Sequence, residues 1–130
     1  MWADIYFKGF VGVVIGLLSY LLGAFDAMLM ALLTMMAIDF LTGIIKAFVI
    51  REISSRKMFH GGAKKIGILL IVAVANVIDG ILDKSGVLRT ITICYFIANE
   101  GVSMLENWSL MGLPVPEKLR NVLAQLKKDE

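Results

Sequence analysis

Of four long apolar stretches in the chain, three carry ionisable or strongly polar residues at helical spacing. In the second stretch, Asp39, Thr42, Gly43 and Lys46 share one helix face. In the third, Asn76, Asp79 and Gly80 do the same. In the fourth, Arg89, Thr92, Phe96, Asn99, Ser103 and Glu106 recur at alternating steps of three and four, with Glu100 one position beside them. A charge at the centre of a membrane helix costs ~2.5–3.5 kcal/mol even on the mild insertion scale, so such groups are paired or hydrated. Two uses of these faces stay open. They glue a bundle through interhelical hydrogen bonds and ion pairs, or they line an aqueous path and meet partner subunits. Depth arithmetic at ~1.5 Å per residue puts Asp39, Asn99 and Glu100 near mid-membrane. It puts Lys46 within reach of Glu100 or Glu106, and Asp79 near Arg89 at the other side.

The same inventory argues against an enzyme. There is no Gly-rich phosphate loop, no Cys/His cluster and no Ser–His pairing. Two intramembrane aspartates, Asp39 and Asp79, are the minimum for an aspartyl protease, but the Asp79-Gly80 step is too small a match. His60 stands without metal-ligand company, and Cys94 is the single cysteine. No catalytic residue, cofactor or metal is expected.

The elements that must position these residues follow from composition. The 130 residues are 58% hydrophobic and 18% charged, with a mean hydropathy of +0.81. A soluble domain this small has too little interior to hide that much apolar surface, so lipid must cover it. The net charge of +2 is too small to argue for nucleic acid. The expected fold is an all-α integral membrane protein, a single membrane domain over residues 1–130. Spans are expected at about 5–24, 27–50, 66–82 and 87–108, with three spans as the alternative. The first run is read as a retained span rather than a cleaved signal, since it is long and no small-x-small site follows it. Gly23 and Asp26 suit a tight turn and an N-cap. Asp83-Lys84-Ser85-Gly86 reads as a second turn. A last helix over 116–128 places Leu119, Val122, Leu123 and Leu126 on one face, with Lys118, Arg120, Lys127 and Lys128 around it. That is an amphipathic surface helix.

Basic residues set the expected orientation. The polar connector 51–65 carries Arg51, Arg56, Lys57, Lys64 and Lys65 against one acid, Glu52. It and the basic tail are expected in the cytoplasm, with both termini inside a multi-pass protein of the cytoplasmic membrane. Span one has a face of small residues, Gly12, Gly16, Ser19 and Gly23, and span two repeats the theme with Gly43 and Ala47. Such faces let helix backbones approach closely, within one chain or between chains.

The order of short motifs resembles one known family. Asp39-Phe40-Leu41-Thr42-Gly43-Ile44-Ile45-Lys46-Ala47 is similar to an Asp-x-x-Thr-Gly-x-x-Lys-Ala step of the phage-lysis and toxin-secretion holins of Gram-positive bacteria and their phages. Ser54-Ser55, Gly62-Ala63-Lys64-Lys65, the run Tyr95 to Ser103, Leu105-Glu106-Asn107 and Gly112-Leu113-Pro114-Val115-Pro116-Glu117-Lys118-Leu119 follow in the same order. The resemblance covers about residues 35–128. It implies a protein that homo-oligomerises in the cytoplasmic membrane of the host cell and opens a lesion. An endolysin or toxin would pass as cargo rather than bind as a stable partner, and the host cell would lyse. The alternatives are a small homo-oligomeric ion channel or transporter subunit, and a membrane anchor for a partner complex.

Overall fold

The computed structural model describes residues 1–83 and 85–128, the last two without their side chains. Lys84 of the second expected turn therefore lies outside the described residues, as do the side chains of Lys127 and Lys128. The described chain is all helical: α1 (Trp2–Leu22), α2 (Ala27–Val49), α3 (Ser55–Leu82), α4 (Val87–Leu110) and α5 (Glu117–Lys128). Three of them, α1, α2 and α3, are long and apolar enough to cross a membrane. α4 is long enough but carries Arg89, Glu100 and Glu106 within its length.

The helix ends follow local chemistry. Asp26 caps α2, its Oδ1 accepting from the Leu29 N–H at 2.9 Å. Ser54 caps α3 in the same way, accepting from Lys57 N–H at 3.3 Å. That cap corrects the expected connector. Of the polar segment 51–65, everything from Ser55 onward is the first part of α3. No proline interrupts it, and Gly61 and Gly62 weaken a helix without breaking it.

α2, α3 and α4 form the bundle. α2 and α4 run in the same direction, since Asp26 meets Arg89 at one end and Asp39 meets Asn107 further along. α3 runs against both, with Lys65 beside Asp39 and Asp79 beside the start of α4. Their core is a layer of Leu29, Leu32, Met36, Ile68, Val72 and Ile93, joined by Leu22 from the end of α1. α1 otherwise lies almost bare, with Leu22 its one buried residue. It meets α3 near its own carboxyl end, where Asn76 Nδ2 donates to the carbonyls of Tyr20 (3.3 Å) and Leu21 (3.1 Å). Carbonyls of a last helical turn lack intrahelical donors, and Asn76 supplies one.

The small-residue face of α1 does not pack inside the chain. A Cβ added at Gly12 or Gly16 would meet nothing within 4 Å, and Ser19 is half-buried. Gly23 belongs to the turn instead. Its φ of 99° is a left-handed conformation, and a Cβ there would lie 2.5 Å from Arg89 Nε. α5 folds back along α4 and buries Leu123. Gly101 makes the room: a Cβ there would sit 2.9 Å from Leu123 Cδ2 and 3.1 Å from Met35 Cε. Leu119, Val122 and Leu126 stay exposed.

Candidate functional site

Two polar layers bracket the apolar core. Lys65 and Asp79 mark them on α3, fourteen residues and thus roughly 21 Å apart along the helix.

The layer at the α1–α2 and α3–α4 turns centres on Arg89, which is buried. Its Nη1 donates to Asp26 Oδ2 at 2.7 Å and its Nη2 to Asp26 Oδ1 at 3.2 Å. Nη2 also reaches the Ala24 carbonyl at 2.8 Å, and Nε the Leu22 carbonyl. The rigid fork of a guanidinium suits such a set, with one carboxylate gripped twice and two carbonyls at its flanks. Asp79 holds the same turn from below. Its Oδ1 accepts from Leu88 N–H (3.0 Å) and its Oδ2 from Arg89 N–H (2.7 Å), so it caps the start of α4. Asp79 thus lies near Arg89 as expected, but it grips the backbone while Asp26 takes the guanidinium. The Arg89 hydrogen bonds hold the Asp26 carboxyl below its ordinary value, helped by the Leu29 N–H and opposed by partial burial.

The other layer joins all three bundle helices. Lys65 Nζ donates to Asp39 Oδ2 at 2.7 Å and to Glu100 Oε2. Asn107 Nδ2 donates to Asp39 Oδ1 (3.2 Å), to the Asp39 carbonyl (3.3 Å) and to Thr42 Oγ1 (3.1 Å). Thr42 in turn donates to the Asp39 carbonyl. Asp39, Glu100 and Asn107 are all buried. Among the described residues, every buried side-chain nitrogen or oxygen has a partner.

The expected partners of Asp39 are thus in part replaced. Glu100 lies in the cluster, but Lys46 makes no ion pair among the described residues, and the shared cation is Lys65. Glu106 is exposed on another flank of α4, beside Arg120 and Ser109. Lys65 stands in a basic segment whose composition points to a connector. Its signal was present all the same. Stepping back from Asp79 through Asn76, Val72 and Ile68 at three and four residues arrives at Lys65. On α4 the inward face passes through Arg89, Ile93, Glu100 and Asn107, turned from the expected stripe. Asn99 and Ser103 are half-buried beside it.

Lys46, Asn99 and Ser103 instead line a cleft of about 330 Å³ between α2, α3 and α4, with Gly43 and Ala47. Its floor is the Lys65–Asp39–Glu100 cluster, and Lys57, His60 and Lys64 stand around its mouth. It opens toward the α2–α3 turn, the most basic end of the bundle.

Apolar helices and an ion-paired interior define a small membrane protein. Its family is equally plain: the model of the bacteriophage holin family matches residues 16–128, and the chain belongs to that family. A probable holin of Bacillus phage phi105 is 39% identical over 98 residues, covering 75% of this chain and 73% of its own length. An uncharacterized protein of Clostridium acetobutylicum is 39% identical over 110 residues, 84% of this chain and 88% of its own. An uncharacterized 14.9 kDa protein of Clostridium perfringens is 40% identical over 111 residues, covering 85% and 84%. No solved structure matches. The holin family is not an enzyme family, and its membership supports a place in the membrane.

Proposed function

We propose that this chain is a holin: a four-span protein of the cytoplasmic membrane that self-associates and opens a lesion through which an endolysin or toxin leaves, lysing the host cell. The observation that carries the reading is the Lys65–Asp39–Glu100 cluster, a set of charges from three different helices paired with one another within one subunit. A monomer whose buried polar groups are satisfied internally can accumulate in lipid without harm. The same groups are too costly to face lipid, so separation of the helices requires water or a second subunit to receive them. α4 fits as the fourth span because Arg89 and Glu100 are buried against its neighbours, while Glu106 lies near its carboxyl end. α5 folds back along α4 and seats Leu123 against Gly101, so in the closed monomer this amphipathic helix covers a flank of α4 and leaves Leu119, Val122 and Leu126 exposed. The α2–α3 turn and both termini lie in the cytoplasm, following the basic residues.

The experiment is a lysis curve with a co-expressed endolysin. Abrupt lysis with release of folded endolysin is expected, and Asp39→Leu should shift its onset strongly at equal protein level. Passage of ions alone, without endolysin release, would assign the chain to the small channels instead. Cysteine placed at residue 57 in a Cys94→Ser background should resist an impermeant reagent added to intact cells, and labelling there would overturn the orientation.

A further inference from the structure

The cleft above the charged cluster is polar at both ends, with opposite signs. At its floor, two carboxylates, Asp39 and Glu100, share the single ammonium of Lys65. Lys65 bonds one oxygen of each, Oδ2 of Asp39 and Oε2 of Glu100. At the mouth, Lys57 lies 3.9 Å from Glu52. Lys46 and Lys64 have no ion partner among the described residues. The cleft thus offers an excess of carboxylate inside and an excess of ammonium outside. A ligand that complements it carries a cation at its tip and an anion behind it.

Apolar side chains run beside the charged ones. Phe40, Ile44 and Ile50 line the same cleft, and Phe40 and Ile50 continue into the exposed apolar surface of α2. A volume of about 330 Å³ is at the small end of ligand pockets and admits a headgroup, not a folded chain. We propose that this cleft binds the phosphoethanolamine headgroup of a membrane lipid. The primary ammonium donates to Asp39 and Glu100 at the floor, with Ser103 and Asn99 as further acceptors. The phosphodiester rests between Lys46 and Lys64. The acyl chains leave along Phe40 and Ile50 into the bilayer. This assignment gives Lys46 a partner that the chain itself does not supply. It rests on the charges of the cleft and is independent of whether the protein lyses cells.

A choline headgroup has the same charges but no N–H to donate, and a glycerol headgroup has no cation. That difference makes the test sharp. Purified protein in detergent is titrated with short-chain lipids bearing phosphoethanolamine, phosphocholine or phosphoglycerol, and with free phosphoethanolamine, and bound ligand is read by native mass spectrometry. The phosphoethanolamine lipid should be retained about tenfold more tightly than the other two lipids, the scale of one good charge-assisted hydrogen bond. Free phosphoethanolamine should bind more weakly than the lipid. Lys46→Met with Lys64→Met should weaken retention by about tenfold or more with helical content unchanged, because neither lysine has an internal partner. Glu100→Gln should abolish the preference of ethanolamine over choline while leaving the phosphate end intact. Equal retention of all three lipids, a preference for phosphoglycerol, equal binding of the free headgroup, or full retention by the double lysine variant would each overturn the proposal.

Discussion

The two polar layers of the bundle place a cation in similar surroundings and use it differently. Arg89 is held by one carboxylate and by carbonyls of the α1–α2 turn, all between Leu22 and Asp26. Its work is to close a turn, and its partners have little freedom to leave. Lys65 is held by carboxylates on two helices that meet through it, and a cleft lies directly above. An ammonium is a compact charge on a flexible stem, without the guanidinium's fixed fork. The comparison separates a clamp from a joint. The Arg89 layer fixes which helix ends lie together, and the Lys65 layer ties α2, α3 and α4 through one cation at the edge of a cleft.

The largest effect is expected at the joint. Lys65→Met leaves two neighbouring carboxylates without their shared cation, a loss of about 3 kcal/mol, the low end for a buried pair broken on one side because the cluster borders a cleft. Adding Asp39→Asn and Glu100→Gln should restore much of it. Reversible unfolding from detergent into a denaturing detergent measures both. If the triple variant is no more stable than Lys65→Met alone, the charges are not what joins the helices.

Arg89→Lys tests the clamp. The lysine keeps the charge and loses the fork, so the Leu22 and Ala24 carbonyls and one Asp26 oxygen cannot all be satisfied. A loss of about 1.5–3 kcal/mol is expected in the same assay, the scale of a hydrogen bond to a charged group. An unchanged stability would mean that water replaces the fork freely, and the contrast with Lys65 would collapse.

Acid should also reach the clamp. Arg89 lowers the Asp26 pKa in the folded protein. The stability that this gives is fully present above the ordinary carboxylate pKa and is lost as pH falls through the lowered folded value. Wild type should therefore exceed Asp26→Asn in thermal stability at neutral pH, and the gap should narrow only below pH ~4. A gap that is constant with pH would show that the Asp26 charge is not the source.

The smallest effect belongs to α1, which takes part in the clamp only through its last turn. Gly12→Leu with Gly16→Leu should change subunit stability by no more than about 0.5 kcal/mol, as at an open surface. The space beside both is empty. Oligomer size in mild detergent is the informative readout. A change there, with stability constant, marks this face as one that packs between subunits. A large loss of subunit stability would contradict the open geometry.

The sequence alone determined the class and the helices. Long apolar runs must be helical in lipid, because every backbone group has to be satisfied within its own segment. Turn chemistry at Gly23, Asp26 and Gly86 marked where α1, α2 and α4 begin or end to within a few residues. The cost of buried charge singled out Asp39, Lys46, Asp79, Arg89, Glu100 and Glu106; Asp39, Asp79, Arg89 and Glu100 are buried, Lys46 is half-buried and Glu106 is exposed. Partnership was another matter. Lys65 sits in a basic segment whose composition says surface, yet its helical phase turns it inward against two carboxylates distant in sequence. Lys46 sits on the expected face of α2, but a long stem and a neighbouring cleft leave it unpaired within the described chain. Spacing along one helix fixes which residues share a face. Which face meets which depends on the rotation of each helix about its own axis, and only the packing of α2, α3 and α4 around Leu29, Val72 and Ile93 decides that.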